Sequence, residues 1–164
     1  IISFEVLMAI IITGTPGTGK TTVAQRLARL IGWKYVDVNK VIKAKNLGEG
    51  YDRKRKCKII DEKKLVKALS AIIKQDDKIV IDSHMSHYIP AKLVDFCMIT
   101  RCNLKTLARR LKKRGYDKDK IKENLEAEIM EVIPNEASEK GHKIVYVNTD
   151  KKVDYVKLAK KTKL

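Results

Sequence analysis

Short apolar runs alternate with longer amphipathic segments along most of the chain. The runs from Met8 to Ile12 and from Lys78 to Asp82 are rich in Ile and Val, so they predict buried strands of a parallel sheet. The segment 20–31 carries apolar residues at helical spacing before Gly32, so it predicts a helix that ends at that glycine. Further strands are predicted at 33–38, 93–100 and 143–149. Further helices are predicted at 39–47, from an Asp61 cap onward, at 103–113 from an Asn103 cap, at 119–140 with a disturbance at Pro134, and from Asp150 onward.

The order of these elements favours one fold class. Strands and helices follow one another repeatedly, and the polar segment from Gly48 to Lys58 predicts an exposed loop. A repeated strand-then-helix order predicts an α/β protein with a doubly wound, parallel, five-stranded sheet in a single domain, 1–164. In such folds ligands bind at the carboxyl ends of the strands.

A glycine-rich segment, Gly14 to Thr21, lies where the first predicted strand passes into the first predicted helix. Glycine lacks a Cβ atom, so this backbone can turn tightly and direct N–H groups at phosphate oxygens, aided by the positive end of the helix. Lys20 would place a point charge against the β and γ phosphates, and Thr21 would offer its hydroxyl to Mg²⁺. The segment therefore predicts a nucleotide-binding protein that uses Mg²⁺ together with its nucleotide.

The chain is strongly basic, with 36 Lys and Arg against 20 Asp and Glu and a net charge of +16 over 164 residues. Residues 105–122 hold nine cations against two Asp, and residues 151–163 hold six Lys against Asp154 alone. This charge favours phosphate-rich partners, including RNA. A heat-adapted, lysine-rich surface is the alternative, although such surfaces usually gain Glu together with Lys.

Three cysteines are present, an odd number without a Cys-x-x-Cys pair. This argues against a disulfide framework or a zinc site and favours a reducing compartment, so we expect a cytoplasmic protein. The apolar run that ends at Ile12 is too short to span a bilayer, and no membrane association is expected. Ile1 to Leu7 precede the first methionine, Met8, and are interpreted as an N-terminal extension outside the core.

Five short motifs together carry a family resemblance. They are Gly14 to Thr22 (GTPGTGKTT), Gly50-Tyr51-Asp52, Ile60-Asp61-Glu62, Asp82-Ser83-His84 and Arg114-Gly115-Tyr116. The first is common to phosphate-loop enzymes at large, whereas the strand that ends in Asp-x-His and the Arg-Gly-Tyr after the basic helix are more specific. Over residues 10–149 the chain resembles the adenylate kinase isoenzyme six family in its archaeal form.

The resemblance implies a fold similar to nucleoside-monophosphate kinases, with ATP on the phosphate loop and AMP under a small insert at residues 37–60. A short lid at 113–123 would close over both nucleotides. The residues that would hold the ATP phosphates and Mg²⁺ are Gly17, Gly19, Lys20, Thr21 and Thr22. Cations stabilise phosphoryl transfer, so Lys20 and Arg114 are expected to be catalytic. Arg110, one helical turn before Arg114, would also face the ATP, and a solvated charge on a basic helix is the alternative.

Asp82 and His84 complete the set of candidate catalytic residues. Asp82 ends a predicted central strand, where its carboxylate can hold Mg²⁺ through water, and capping of the next turn is the alternative. The imidazole of His84 could orient an attacking water or contact the γ phosphate, which would fit an ATPase side activity. His87 and His142 have no such placement and are expected to be structural or on the surface.

The chain departs from the family pattern at two places. Lys43 stands where an Arg clamp for the monophosphate is expected, and a lysine neutralises phosphate without gripping it bidentately. AMP is therefore expected to contact Lys43 but to bind less tightly. The segment 53–56 (RKRK) is more basic than the acidic form typical of relatives, so it would either contact RNA or simply be solvated.

Functions from different classes remain open. The leading one is an adenylate kinase that transfers the γ phosphate of Mg-ATP to AMP and has an intrinsic ATPase activity. The alternative is an ATPase switch in ribosome and rRNA assembly with little kinase activity. The resemblance implies it, because eukaryotic relatives act in small-subunit maturation and bind a small-subunit ribosomal protein next to the rRNA. A kinase for a small metabolite hydroxyl is a third candidate, which the family motifs disfavour.

Overall fold

The structure, a computed structural model, describes residues 9–162. The strands are β1 (Ala9–Thr13), β2 (Lys34–Asp37), β3 (Gly48–Asp52), β4 (Cys57–Ile60), β5 (Ile79–Asp82), β6 (Phe96–Arg101) and β7 (Ile144–Asn148). The helices are α1 (Lys20–Ile31), α2 (Val38–Ala44), α3 (Glu62–Gln75), α4 (Leu104–Lys113), α5 (Lys118–Ile129), α6 (Val132–Glu139) and α7 (Tyr155–Lys161). None of these helices is long and apolar enough to cross a membrane. The interpretation of Ile1 to Leu7 as an extension lies outside the described residues.

Five strands form one parallel sheet in the order β2-β5-β1-β6-β7. After β1 the chain builds one side of the sheet with β2 and β5, and then crosses to the other side for β6 and β7. This reversal places the switch point of the sheet at the carboxyl end of β1, where Gly14 follows. The predicted doubly wound, five-stranded α/β sheet is confirmed. The strand predicted at 93–100 begins only at Phe96, because Ala91–Leu93 form a 3-10 turn.

The alternating side chains of the central strand divide the core into two layers. Ile11 packs with buried residues of α3 and α6 on one face of the sheet. Ile10 and Ile12 point to the opposite face, which α1 and α7 cover. Because both layers are closely packed, the strand ends that carry the site residues are held in fixed positions.

The segment from Gly48 to Lys58, predicted as an exposed loop, forms most of an antiparallel hairpin. β3 and β4 pair only with each other within the described chain. Almost all of their side chains are exposed, so the segment lacks the buried alternation from which a strand is predicted. The loop prediction is therefore wrong about the backbone and correct about the exposure.

The helix predicted over 119–140 is divided into α5 and α6. The break lies at Glu131, whose φ of 49° is in the left-handed region and cannot continue the helix. Pro134 lies in the first turn of α6, where backbone N–H groups have no acceptor within the helix, so it costs no hydrogen bond. The terminal helix begins at Tyr155 rather than at 150, after the capping residue Asp154.

α4 and α5 form a helical hairpin that is joined by a short turn at 114–117. Asn103 caps α4 as predicted, since its side chain accepts a hydrogen bond from Thr106 N at 2.8 Å. Leu107 and Leu111 of α4 are fully buried against apolar residues of the turn and of α5. The segment predicted as the lid thus consists of this turn and the first half of α5, beside the phosphate loop.

Candidate active site

The loop between β1 and α1 has a conformation that requires glycine. Gly17 and Gly19 have φ values of 92° and 93°, in the left-handed region that side chains rarely adopt. At Gly14 a Cβ atom would lie 2.6 Å from the carbonyl oxygen of Thr100 in β6. The loop is therefore packed tightly against β6 and turns directly into the amino end of α1, which is a geometry that suits a phosphate group.

Side chains from the loop itself and from distant segments hold this loop in place. Thr18 Oγ1 donates to the carbonyl of Thr15 at 2.7 Å, and Thr149 Oγ1 donates to the carbonyl of Thr18 at 2.7 Å. Arg110 Nη2 donates to the Thr149 carbonyl at 2.8 Å, and Nη1 donates to Thr149 Oγ1 at 2.9 Å and to the carbonyl of Gly17 at 3.4 Å. Arg110 is therefore fixed against the loop, and the alternative of a solvated charge is wrong.

Lys20, the first residue of α1, lies partly buried at the centre of the loop. Its Nζ donates to the carbonyl oxygens of Gly14 at 2.8 Å and Thr15 at 3.1 Å. Burial, followed by the positive charge of Arg114, lowers the pKa of Lys20 to about 8, and two nearby carboxylates act in the opposite direction. A phosphate bound here would favour the charged ammonium.

Asp82 ends β5 in a buried position and accepts hydrogen bonds on both carboxylate oxygens. Thr21 Oγ1 donates to Oδ2 at 2.7 Å, and the Tyr35 hydroxyl donates to Oδ1 at 2.7 Å. Burial and the Asp82 carboxylate raise the pKa of Tyr35, so its phenol remains a donor. The sequence predicted Asp82 and Thr21 each as a residue for the metal, and the structure brings their oxygens together.

The donor atoms at Asp82 suit Mg²⁺. A hydroxyl and a carboxylate are hard oxygen ligands, and Mg²⁺ is usually held by one or two such protein groups together with phosphates and water. Residues 9–162 contain no cluster of three or more His, Cys, Asp or Glu side chains that could hold a metal. Thr21 and Asp82 thus supply two oxygen donors of the kind that Mg²⁺ accepts.

His84 lines the same cleft two residues after Asp82. Its side chain is exposed to solvent within the cleft. Desolvation by the neighbouring protein, followed by the positive charge of Lys20, lowers the pKa of His84 to about 4. The imidazole is therefore neutral at pH 7 and can accept a hydrogen bond from water or a hydroxyl group.

Three cavities lie in a row along the carboxyl edge of the sheet. The central one has a volume of about 210 Å³ and is lined by the phosphate loop and Asp82. A cavity of about 530 Å³ shares Thr22 and Arg114 with it, and another of about 770 Å³ shares Asn39 and His84 with it. A wider groove of about 850 Å³ between α1 and α7 contains none of the motif residues. The central cavity thus joins two outer ones, an arrangement that suits two ligands that meet in the centre.

The 770 Å³ cavity lies under the hairpin of β3 and β4. Lys43 of α2 lines it, as predicted for the acceptor phosphate. Lys58 of β4 lines the same cavity, so two lysines face one space. Tyr51 contributes an exposed aromatic ring, while Ile42 and Ile60 contribute apolar surface. The cavity thus offers two cations and an aromatic ring, which suits a ligand with an anionic group and a flat base.

The turn of the hairpin reaches across to α5. Arg55 Nε lies 3.5 Å from Glu123 Oε1, and Lys56 forms an ion pair with Asp117. Lys120 Nζ donates to the carbonyl of Lys56 at 3.0 Å. The Asp117 carboxylate raises the pKa of Lys56, and the hydrogen bond from Lys56 lowers the pKa of Asp117. Arg55 and Lys56 therefore contact the predicted lid, a contact that the sequence did not indicate, while all four side chains of 53–56 are exposed as the solvated alternative expects.

The two remaining histidines are structural, as predicted. His87 is fully buried, with Nε2 2.7 Å from Glu136 Oε2 and Nδ1 3.1 Å from Thr13 Oγ1. His142 is also buried, and its Nε2 donates to the carbonyl of His87 at 2.8 Å. These contacts fasten α6 to the sheet beneath the site, and neither ring lines the three cavities in a row.

Several residues of the site could not be found from sequence motifs. Tyr35 was visible only as one position of a short strand, and its contact with Asp82 depends on the register between β2 and β5. Thr149 was predicted only as the last residue of a strand, and it lies just after β7, where the sheet order brings it to the phosphate loop. Lys58 was one of several lysines in a polar segment, and only the hairpin geometry directs it to the cavity.

Comparisons with known proteins agree with this geometry. A family model described as AAA domain matches residues 10–131. The chain is 40% identical over 150 residues to the adenylate kinase isoenzyme 6 homolog FAP7 of Saccharomyces cerevisiae, covering 90% of this chain and 76% of that protein. It is 42% identical over 145 residues to a putative adenylate kinase of Pyrococcus furiosus, covering 87% of this chain and 75% of that protein.

Solved structures agree on the fold alone. A shikimate kinase from Bacteroides thetaiotaomicron superposes with a TM-score of 0.65 at 15% identity, over 96% of this chain and 99% of that one. At this identity the likeness defines the phosphate-loop kinase architecture and does not define the phosphate acceptor. The relatives at about 40% identity define more: the chain belongs to the adenylate kinase isoenzyme 6 family.

Proposed function

We propose that this protein is an adenylate kinase that transfers the γ phosphate of ATP to AMP in a Mg²⁺-dependent reaction. The observation that carries the proposal is the row of three cavities that meet at the phosphate loop. One outer cavity suits the nucleoside of ATP, the central one its phosphates, and the cavity under the hairpin the acceptor. In this assignment a donor and an acceptor phosphate would lie on the two sides of Lys20 and His84.

The donor side would be formed by the phosphate loop. Gly17 and Gly19 supply backbone that a side chain would strain, and Lys20 supplies a positive charge. Thr21 and Asp82 supply the oxygen donors that fit the metal, and Thr22 lines the two cavities assigned to ATP. Bound Mg²⁺ would offset the negative charge that builds on the phosphates during transfer.

The acceptor side would be formed by the insert, residues 37–60. Lys43 is the predicted contact for the AMP phosphate, and Lys58 lines the same cavity. Two lysines compensate in charge for the missing bidentate arginine, although each binds only as a point charge. We therefore assign the AMP phosphate to both lysines.

The lid would be formed by residues 113–123, with Arg114 at its beginning. Arg114 lines both cavities assigned to ATP, and Arg110 lines the outer one. A cation that approaches the γ phosphate stabilises transfer, and closure of the turn excludes water that would otherwise hydrolyse ATP. Arg114→Ala should lower the transfer rate more than it weakens ATP binding, and an unchanged rate would remove Arg114 from the lid.

An intrinsic ATPase activity is the second part of this proposal, and His84 supports it. Its neutral imidazole at the junction of the central and acceptor cavities can orient a water molecule when AMP does not fill the acceptor cavity. His84→Ala should therefore lower ATP hydrolysis more than transfer to AMP. An equal loss of both rates would contradict the water-positioning role.

The test of the kinase is ADP production from Mg-ATP by purified protein, with and without AMP. A kinase produces two ADP for each ATP consumed, and its rate rises strongly with AMP. Lys20→Ala serves as the control for contaminating kinases. If AMP has no effect and only slow hydrolysis remains, the adenylate kinase proposal fails.

A second candidate is an ATPase switch that acts in the cytoplasm on the small ribosomal subunit, next to a ribosomal protein and rRNA. The observation that favours it is the cationic surface of α4, where exposed side chains form no ion pair within residues 9–162: Lys105, Arg109, Lys112 and Lys113. Such a stripe suits phosphate backbones. The three free cysteines suit a reducing compartment.

RNA binding tests the second candidate. A small-subunit rRNA transcript is titrated by fluorescence anisotropy over a series of salt concentrations. The matched pair is Lys105→Ala/Arg109→Ala on α4 against Lys63→Ala/Lys67→Ala on α3, since each removes two exposed cations four residues apart. The α4 variant should bind more weakly with a shallower salt dependence. Equal effects of both variants would mean that only the net charge matters.

A further inference from the structure

Tyr35 reaches the metal-site carboxylate from the edge strand of the sheet. In the parallel pairing of β2 with β5, Tyr35 lies opposite Val80 and Asp37 lies opposite Asp82. Side chains alternate along a strand, so Tyr35, Val80 and Asp82 share one face of the sheet. α1 covers this same face and carries Thr21. Two separate elements thus converge on one carboxylate.

The two contacts of Asp82 restrain it in a way that neither achieves alone. Tyr35 OH donates to Oδ1 and Thr21 Oγ1 donates to Oδ2, each at 2.7 Å. A carboxylate held through one oxygen can still rotate about its terminal bond, whereas donors on both oxygens fix its plane. With 7% of its surface exposed, Asp82 has little solvent to take the place of either donor. The orientation of this group therefore depends on the phenol.

The hydroxyl of Tyr35 is not explained by packing. Its ring contacts the apolar core on the α1 side, together with Ile31 and Trp33, and a phenylalanine ring would fill the same place. The oxygen adds a polar group to this environment, where it donates to Asp82 Oδ1 and has the Gln25 side chain as a second polar neighbour. The donated hydrogen bond is the one that acts on the orientation of the carboxylate.

We propose that Tyr35 is a positioning residue for the metal of the bound nucleotide. Its hydroxyl holds Asp82 in the orientation in which the carboxylate and the Thr21 hydroxyl serve the same Mg²⁺ ion. The inference rests on the proposed function only in that the protein binds Mg²⁺ with a nucleotide. It does not depend on AMP as the acceptor.

The test is the affinity for Mn²⁺, as a substitute for Mg²⁺, in the complex of the full chain with ADP. Free Mn²⁺ is measured by electron paramagnetic resonance, and ADP affinity is measured separately in EDTA. Tyr35→Phe should raise the Mn²⁺ dissociation constant about 10-fold, as loss of a partner of a metal ligand typically does. Its ADP affinity in EDTA should stay unchanged. Tyr88→Phe is the matched control, because the Tyr88 hydroxyl contacts Glu136 and not the metal site.

Kinetics and a double variant separate positioning from a general disturbance. Tyr35→Phe should raise the apparent KM for Mg²⁺ and leave kcat at saturating Mg²⁺ within about twofold. In the Asp82→Asn background the same substitution should no longer affect Mn²⁺ binding, because the phenol acts through the carboxylate. An unchanged Mn²⁺ affinity in Tyr35→Phe, or an equal loss in the Asp82→Asn background, would overturn the proposal. Absence of AMP-dependent activity would instead overturn the kinase and leave this inference standing.

Discussion

The donor and acceptor sides of the cleft are built in different ways. The phosphate loop is largely buried, and Thr18 and Arg110 tie it by hydrogen bonds to segments that are 82 and 93 residues away in sequence. The hairpin over the acceptor cavity has almost only exposed side chains, and its turn meets α5 through exposed ion pairs. One side is fixed by the fold, and the other is held by contacts that solvent can replace.

This difference determines how much free energy each ligand loses on binding to the ordering of the protein around it. A ligand that enters a fixed loop loses little free energy to ordering of the protein, whereas a ligand under an exposed hairpin must also order that hairpin. Substitutions in the donor side should therefore have large effects on every reaction, and substitutions in the acceptor side should have smaller effects confined to the acceptor.

The largest effect is expected for Lys20→Ala. It removes the charge at the phosphates, for which the loop has no substitute, so ATP hydrolysis and AMP-dependent ADP formation should both fall by at least about 100-fold. The rates are measured at saturating Mg-ATP, and thermal unfolding verifies that the variant is folded. If either activity is retained within tenfold of the original, roughly 1.4 kcal/mol of barrier, the donor side is not as central as the structure indicates.

The pH dependence of ADP affinity should show the next largest effect. The pKa of Lys20 is lowered to about 8, so the ammonium that attracts phosphate is lost as the pH rises through this value. Its protonated fraction falls from about 90% at pH 7 to about 10% at pH 9, so ADP affinity in EDTA should fall up to about 10-fold. Lys20→Arg keeps its charge over this pH range, so its ADP affinity should change with pH only through the ionisation of ADP. The same pH profile in both proteins would contradict the assignment.

The sequence predicted the donor side well for a physical reason. A tight turn that presents a loop to phosphate demands glycine at fixed positions, and Lys20 and Thr21 must follow in the first turn of α1. The residues that suit phosphate binding are therefore close together in the sequence and form a recognisable motif. The five-stranded sheet was equally predictable, because buried strands such as β1 are short apolar runs between amphipathic helices.

The acceptor side was predicted less well because its features depend on pairing between segments. The hairpin has few buried side chains, so its alternation carries no hydrophobic signal. The placement of Lys58 in the cavity follows from the pairing of β3 with β4, and the contact of Tyr35 with Asp82 follows from the register of β2 with β5. Such contacts require the three-dimensional arrangement and cannot be found from one segment alone.

Substitution of the cavity lysines should give an intermediate effect that is confined to the acceptor. Lys43→Met and Lys58→Met each keep an apolar side chain of similar length and remove one charge. Each should raise the KM for AMP about fivefold, as loss of one charged contact in an open site does, and leave AMP-independent hydrolysis unchanged. Lys54→Met in the hairpin turn is the control. A fall in hydrolysis would mean that these lysines also serve the donor side.

The smallest effect is expected at the ion pairs between the hairpin turn and α5. Both Lys56 and Asp117 are exposed, so salt screens their attraction, and Lys56→Ala should raise the KM for AMP only about twofold in dilute buffer. The difference should vanish in about 0.5 M salt. Lys54→Ala, beside it in the turn, should change nothing. A rise in the KM for AMP above tenfold, or a rise that persists in salt, would mean that the acceptor side is held as firmly as the donor side. The contrast between the two sides would then be wrong.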